Sequence, residues 1–337
     1  MGYRVDFERM DEILTEMAEK YYIYAPRLDA QKKKVRYGKI TSLSQVITDR
    51  QSDFSTKEVY YPISQVMFYF REDSVDISEF EDDKEILIFA RACDINAVRK
   101  LDNIFLKNGN AEDLFYSRRR KKVKFALIEC PESFDNCFCV STGSNKTEDY
   151  EFAVRFEEDG ILAGVKNNEF LEYFEDEDEA DYEVRFIEEN KKSVRIPAIN
   201  RDNLKQVSES EYWNQFDDKC VSCAGCNTVC PTCSCFDTVD VIYDEGSNDG
   251  ERRRVWSGCM LEDFTLTAGG SRARKTPGAN MRFKVFHKFY DYMDRFGDEH
   301  MCVGCGRCDI RCPQEISFFD TVNGLHDEIE KTEREQI

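Results

Sequence analysis

Two stretches of the sequence share one cysteine pattern, CVSCAGCNTVCP at residues 220–231 and CVGCGRCDIRCP at residues 302–313. In each stretch the four cysteines are separated by two, two and three residues, and a proline follows the fourth. Together they hold eight of the 15 cysteines in a chain of 337 residues. Such regular spacing indicates that these thiols serve one local chemical purpose.

The repeated pattern is the one with which bacterial-type ferredoxins hold iron–sulfur clusters. In two-cluster modules the fourth cysteine of each run binds the other run's cluster. We therefore expect two [4Fe–4S] clusters, one held by Cys220, Cys223, Cys226 and Cys312, and the other by Cys302, Cys305, Cys308 and Cys230. Zinc sites usually combine cysteine pairs rather than two runs of four, and disulfides have little use in a reducing cytosol.

Glycines within the two runs have an expected role of their own. Gly225, Gly304 and Gly306 would let the backbone come close to a cluster, where amide hydrogens reach its sulfurs. Pro231 and Pro313 end the two ligand loops.

Four further cysteines lie in the N-terminal half of the chain. Cys93 follows the strand-like run EILIFARA, and Cys130 ends the strand-like run KVKFALIE. If the two strands are parallel neighbours, both thiols emerge at one sheet edge, and the loop carrying Cys137 and Cys139 comes next. We therefore expect these four thiols to hold a third iron–sulfur cluster. The alternative is that Cys93 and Cys130 are small buried core residues.

Three cysteines, Cys233, Cys235 and Cys259, follow the first run. They are interpreted as packing around the second half of the module or tuning it. A further site completed by a non-cysteine ligand is the alternative. The three histidines, at 287, 300 and 326, are too sparse to identify such a ligand.

The pattern of elements predicts an α+β fold in two parts. Residues 1–200 read as a mixed α/β domain, with a helix over 6–20, strands at 86–90 and 123–128, and a helix over 94–106 opened by an Asp94 cap. A hairpin is predicted at 151–165. Residues 201–337 read as a mainly helical, ferredoxin-like domain with two clusters. Within it, aromatic residues of 281–296 recur at helical spacing, as in a core-packing helix.

Composition excludes several classes of protein. A net charge of −20 argues against a general nucleic-acid binder, which needs a basic surface for phosphates. No apolar run approaches the roughly 18–20 residues that span a bilayer. The charged start MGYRVDFERMDEIL lacks the apolar core of a secretory signal. We therefore expect a cytoplasmic protein with no nucleic-acid partner and no membrane span.

Charge is unevenly distributed along the chain. Residues 169–189 hold eleven acidic residues and one basic residue, whereas residues 252–288 hold nine basic and two acidic residues. The acidic run is most simply a solvated loop. The basic stretch would place positive charge beside an anionic cluster, which raises its reduction potential. Docking of an electron-transfer partner is the alternative for either stretch.

No catalytic residue is predicted. Neither a dinucleotide-binding G-x-G-x-x-G, nor a Walker A motif, nor H-E-x-x-H is present. Chains that carry only clusters usually pass electrons between other subunits, so a non-catalytic electron-transfer subunit of an oxidoreductase is expected.

Nearly the whole chain resembles the A subunits of anaerobic sulfite reductases, a family related to β subunits of cytosolic hydrogenases and sulfhydrogenases. The resemblance rests on ACD at 92–94, Cys130 with CFC at 137–139, CPTC at 230–233, WSGC at 256–259 and CVGCGRC at 302–308. It implies a subunit that relays electrons from a flavin- and NAD(P)H-binding subunit to a sirohaem subunit, which reduces sulfite to sulfide.

Two other functions stay open on the sequence. One is the iron–sulfur β subunit of a cytosolic hydrogenase or sulfhydrogenase, since those relatives share much of the pattern. The other is a structural or redox-sensing binding module whose clusters do not transfer electrons.

Overall fold

The computed structural model describes residues 1–29, 31, 33–78, 84–246, 248–297 and 299–335. Its strands are β1 (Gly2–Asp6), β2 (Tyr21–Asp29), β3 (Lys34–Lys39), β4 (Ser64–Arg71), β5 (Ser74–Ile77), β6 (Glu85–Ala90), β7 (Val123–Ile128), β8 (Phe152–Phe156), β9 (Gly160–Val165), β10 (Asp178–Glu179), β11 (Phe236–Ile242) and β12 (Gly250–Trp256).

Its α-helices are α1 (Phe7–Lys20), α2 (Lys57–Tyr60), α3 (Ala92–Leu106), α4 (Leu114–Arg120), α5 (Leu204–Glu209), α6 (Gly225–Thr228), α7 (Pro277–Phe286), α8 (Tyr292–Phe296), α9 (Arg307–Arg311) and α10 (Phe318–Glu335). A π-helical segment, His287–Asp291, joins α7 to α8, and 3-10 turns occur at Leu43–Gln45, Asn168–Tyr173, Glu211–Phe216 and Glu262–Thr265.

An eight-stranded mixed sheet forms the N-terminal half, in the order β10-β1-β9-β8-β7-β6-β2-β3. Its central strands β8, β7, β6 and β2 are parallel, and the flanking strands are antiparallel. Helix α1 packs on one face and α3 on the other, each in its own hydrophobic core. Because β6 and β7 are parallel neighbours, the residues that follow them, including Cys93 and Cys130, lie at the same edge.

The predicted helices form for different local reasons. Helix α1 buries Met10, Ile13, Leu14 and Met17 at helical spacing, and Asp6 caps it by accepting a 2.8 Å bond from the amide of Arg9. The Asp94 cap predicted for α3 is wrong. Arg91 occupies the cap position and the helix begins at Ala92. The Asp94 carboxylate is instead buried in an ion pair.

A second sheet joins sequence segments from either side of residue 200. It is antiparallel, with the order β11-β12-β4-β5. Strand β12 pairs with β4, from Gly250 opposite Phe70 to Val255 opposite Ser64, and with β11 on its other side. The hairpin of β11 and β12 was not predicted, and it places strands between the two cysteine runs. The boundary predicted near residue 200 stays a prediction.

Helices and loops around a third core make up the rest of the C-terminal region. The core includes Trp213, Val285, Phe286, Phe289 and Leu325. Helix α7, the π segment and α8 form the aromatic helix expected over 281–296, and Phe286 packs in the core as predicted, with Phe283 and Tyr290 partly buried against it. The α+β description with a helical, ferredoxin-like C-terminal region is therefore confirmed.

Candidate iron–sulfur sites

The structure gathers the cysteines predicted for the first cluster around one pocket. Its lining includes Cys220, Cys223, Cys226 and Cys312, together with Cys308. Cys223 is exposed, and Val221 beside it is 56% exposed, so this pocket lies at the molecular surface. The first three residues come from the first run, and Cys312 comes from the second, as the crossed ligand scheme requires.

A second pocket gathers the cysteines predicted for the second cluster. Cys302, Cys305 and Cys308 line it together with Cys230 of the first run. Phe138, from the N-terminal half, also lines it and is 1% exposed. The second pocket therefore lies deeper, between the two halves of the chain.

The two pockets share a wall. Cys226, Cys308, Lys284 and Phe318 line both of them. In each run the shared residue is the third cysteine, at the start of a short helix, α6 or α9. Thiolates that bind neighbouring clusters would thus be in direct proximity.

Left-handed backbone conformations shape both cysteine runs. In the first run they fall on Ser222 (φ 52°) and Ala224 (φ 51°), and in the second on Gly304 (φ 61°) and Gly306 (φ 69°) at the equivalent positions. The glycines are needed because the 136–139 loop approaches closely. A side-chain carbon at Gly306 would lie 2.1 Å from the Asn136 carbonyl oxygen, and one at Gly304 would lie 2.5 Å from the Phe138 carbonyl. By contrast, a side-chain carbon at Gly225 would meet only ordinary contacts of 3.4 Å or more.

Burial changes the acidity of the pocket thiols. It raises the pKa of Cys302 to about 12, and it raises the pKa of Cys308 and Cys220 above the ordinary thiol value. As free thiols, Cys220, Cys302 and Cys308 would therefore be protonated at neutral pH. Because iron binds thiolates, loading these sites releases protons, and cluster assembly is favoured at higher pH.

Two buried lysines, Lys284 and Lys288, line the second pocket, and a third, Lys57, lies against the carbonyl of Cys233. Lys57, Lys284 and Lys288 are each at most 3% exposed, and no carboxylate in the described part of the chain forms an ion pair with them. Their charged neighbours are thiols: although burial opposes charge on Lys288, the thiolates of Cys230 and Cys233 hold its pKa above the ordinary value. Burial lowers the pKa of Lys57. Lys284 and Lys288 fit the expectation of positive charge beside a cluster.

The structure also brings the four N-terminal cysteines together. Burial, followed by the charge of Cys139, raises the pKa of Cys137 to about 12. Burial raises the pKa of Cys139 to about 11, and Cys130 contributes to that rise. Cys93 is buried, and this burial, followed by the charges of Asp94 and Cys139, raises its pKa. The four thiols therefore form one group, and their binding of a third cluster stays a prediction.

Nitrogen donors face three of these four sulfurs. Arg91 Nη1 lies 3.3 Å from the Cys130 sulfur, Asn190 Nδ2 lies 3.6 Å from that of Cys139, and Gln51 Nε2 lies 3.9 Å from that of Cys137. Such donors stabilise thiolate charge and tune a cluster. None of these three donors was predicted from the sequence, because they come from segments far apart in the chain and match no motif.

The N-terminal cysteine group touches the second pocket. Cys137 Sγ lies 3.8 Å from the carbonyl oxygen of Cys305, and the amide of Phe138 donates a 2.8 Å bond to the carbonyl of Gly304. Cys93, Cys139 and Cys305 also pack in one small core. The three cysteine groups therefore adjoin one another in sequence, from the N-terminal sheet edge through the second pocket to the exposed first pocket.

A buried ion pair fixes this junction. Both terminal nitrogens of Arg307 bind the Asp94 carboxylate, at 2.7 and 2.6 Å, and the Arg307 Nε donates to the carbonyl of Ser52 at 3.0 Å. Tyr37 adds a 3.1 Å hydrogen bond to Asp94. Helix α9 of the second run is thereby tied to helix α3 of the N-terminal sheet.

The remaining three cysteines lie beside Cys230. Asn227 Nδ2 is 3.4 Å from the sulfur of Cys233 and 3.4 Å from that of Cys259. Cys235 is near Lys57 and Lys288. The three thiols therefore pack near Cys230, and they also have a side-chain amide and lysine ammonium groups as polar neighbours.

Two kinds of feature are absent from the part of the chain that the structure describes. No group of three or more His, Cys, Asp or Glu side chains is placed to hold a single metal ion. No helix among the described residues is long and apolar enough to cross a membrane.

Comparison with known proteins gives two matches. The family described as a 4Fe–4S dicluster domain matches residues 219–316, the region of both cysteine runs. Sulfhydrogenase 2 subunit beta of Pyrococcus furiosus is 27% identical, with 95% of this chain and 97% of the relative covered. No solved structure matches. Together the comparisons support an iron–sulfur electron-transfer subunit that carries a 4Fe–4S dicluster domain.

Proposed function

We propose that this protein relays electrons within a multi-subunit oxidoreductase, through two [4Fe–4S] clusters bound at the two C-terminal pockets. The observation that carries the proposal is the wall shared by the pockets, with Cys226 and Cys308 on both sides of it. Clusters supply one-electron transfer when bound. The chain's residues hold them next to one another and exclude water from the deeper one.

A third cluster on Cys93, Cys130, Cys137 and Cys139 would extend the relay into the N-terminal half. Support comes from the contact of Cys137 with the Cys305 carbonyl and from the donors on three of the four sulfurs. The first pocket, with exposed Cys223 and Val221, is the end at which a partner subunit would exchange electrons.

The proposed partners follow from the resemblance. A flavin- and NAD(P)H-binding subunit would supply electrons, and a sirohaem subunit would use them to reduce sulfite to sulfide in the cytoplasm. In this assignment the chain itself has no catalytic residue, and its specificity lies in which subunits it binds.

A second assignment is favoured by one specific observation. The match to a sulfhydrogenase β subunit spans 95% of this chain. On this assignment the chain serves a hydrogenase-type complex, and the catalytic partner holds nickel instead of sirohaem. The electron relay proposed for this chain is the same in both assignments.

Anaerobic isolation of the tagged full-length chain with its bound subunits distinguishes the two assignments. A sirohaem absorbance in the isolated complex supports sulfite reduction, and nickel supports the hydrogenase type. The relay is tested by redox titration of the same sample. We expect dithionite, and separately NAD(P)H together with the flavin subunit, to reduce the clusters, seen as new electron paramagnetic resonance (EPR) signals. Clusters that stay unreduced by both would show a structural or sensory module instead.

A further inference from the structure

The cluster of Cys233, Cys235 and Cys259 has features that simple packing does not need. Cys233 and Cys259 are 8% and 6% exposed, and Asn227, itself 2% exposed, directs one amide nitrogen at both sulfurs from 3.4 Å. The side-chain carbonyl oxygen of Asn227, Oδ1, accepts a 3.4 Å hydrogen bond from the backbone amide of Met260. The amide is thus held in one orientation, with its donor toward the two sulfurs.

The chain leaves space for this amide. A side-chain carbon at Gly258 would lie 2.9 Å from the Asn227 side chain, so the loop that carries Cys259 can approach only with glycine at that position. Two sulfurs from separate segments thereby share one donor. Hydrogen bonds from amides to ligand sulfurs are a common means of tuning iron–sulfur centres.

A buried cation lies on the other side of the cluster. Lys57 is 2% exposed, its Nζ donates a 2.9 Å bond to the carbonyl oxygen of Cys233, and it sits 3.8 Å from the Trp256 ring. No carboxylate of the described residues pairs with it; burial lowers its pKa, and the charges of the Cys233, Cys230 and Cys235 thiols oppose that lowering. A buried ammonium is costly without an anionic partner. Thiolates bound to iron would be that partner.

The trio is also linked to the second pocket. The backbone amide of Cys233 donates a 3.4 Å bond to the carbonyl oxygen of Cys230, which lines that pocket, and Lys288 Nζ donates a 2.7 Å bond to Oγ1 of Thr232, which lies between them in the sequence. A centre at the trio would therefore be next to the proposed second cluster.

We propose that Cys233, Cys235 and Cys259 are the three cysteine ligands of an additional iron–sulfur centre, with Asn227 as hydrogen-bond donor and Lys57 as counter-ion. Three thiolates suit a three-iron centre or a four-iron centre whose last iron has a non-cysteine ligand. The inference concerns iron binding and holds whether or not the chain relays electrons.

Iron content tests the proposal directly. The full-length chain, purified anaerobically, is compared with Cys235→Ala and Cys259→Ala by iron and sulfide analysis and by Mössbauer spectroscopy. Each variant is expected to lose about three to four irons per chain, while the signals of the other clusters remain. Ser234→Ala, between two of the ligands, is the matched control and is expected to keep its full iron content.

Two results would overturn the proposal. One is unchanged iron content in both cysteine variants. The other is that the cysteine variants lose iron only together with the signal of the second cluster, as Cys230→Ala is expected to do. In that case the trio would be a packing shell of the second cluster. The proposed relay is tested separately, by dithionite titration of the wild type. A negative result there would leave the iron count of the trio unaffected.

Discussion

The Arg307 guanidinium is 1% exposed and its partner Asp94 is fully buried, so each neutralises the charge of the other. The pair could not be predicted from the sequence. Asp94 has the position and residue type of a helix cap, and its actual partner lies 213 positions away. The eight cysteines of the two runs were predicted as ligands by spacing alone because the motif is local. The donors Gln51, Arg91 and Asn190 were not, because they act through tertiary contact.

We expect Asp94→Asn to destabilise the folded protein by about 3–5 kcal/mol, because it leaves the Arg307 charge buried without a full counter-charge. Urea unfolding of the anaerobically purified holoprotein measures the loss. Arg311→Gln, on the exposed side of the same short helix, serves as control and should change stability by less than about 0.5 kcal/mol. Equal effects of the two substitutions would argue against the ion pair as the anchor of helix α9.

Cys223→Ser is expected to remove about four irons per chain, since one cubane loses a ligand. The N-terminal sheet should stay folded, because no residue of that sheet lines the first pocket. Iron analysis with circular dichroism checks both statements. Lys219→Gln, just before the run, should leave the iron content unchanged, and full iron in Cys223→Ser would exclude this residue as a ligand.

Among the elements, those set by local pattern were predictable. The amphipathic helix α1, the parallel strands β6 and β7 and the hairpin of β8 and β9 follow from hydrophobic periodicity and a turn signal. The four-stranded sheet was not predicted, because β12 pairs with β4, which lies about 180 residues earlier. The π segment was also missed; it continues a helical pattern and carries the buried Lys288.

The acidic run also proves to be more than a solvated loop. Glu169, in the 3-10 turn Asn168–Tyr173, accepts bonds from Lys124 Nζ at 2.5 Å and Tyr21 Oη at 2.7 Å, and pairs with Lys20. The bond from Lys124 is the main cause that lowers the Glu169 pKa to about 2. A carboxyl whose pKa falls on folding stabilises the protein above its unfolded pKa, and that stabilisation is lost as the pH falls toward 2.

Glu169→Gln is therefore expected to lower stability at pH 7 by on the order of 1 kcal/mol, since the site is partly solvent-screened. The difference from wild type should be smaller at pH 4, where the unfolded wild-type carboxyl is largely protonated. Urea midpoints at the two pH values measure it. A difference that grows on acidification would contradict the assigned sign.

At the scale of the whole molecule, the cysteine groups form a connected series across both halves of the chain. The exposed first pocket shares its wall with the second, and the second touches the N-terminal four through Cys305. The sequence predicted the membership of these groups, but it could not predict their order in space, which depends on how the 136–139 loop packs on Gly304 and Gly306.

Iron analysis of Cys137→Ser tests the N-terminal group within this series. We expect the variant to contain about four fewer irons than wild type and to lose one EPR signal, because one ligand of the proposed third cluster is missing. Ser141→Ala, two residues beyond Cys139, is the control. An unchanged iron count and spectrum in Cys137→Ser would show that these four thiols are core residues.

The second sheet has a consequence for how the protein is made. Strands β4 and β5 leave the ribosome early, yet their partner β12 is completed only at Trp256. The N-terminal cysteine group likewise meets Cys305 only after most of the chain has been synthesised. Until then the edge of β4 is open to pairing with other chains. If the clusters form as proposed, we therefore expect iron to be inserted into a nearly complete polypeptide.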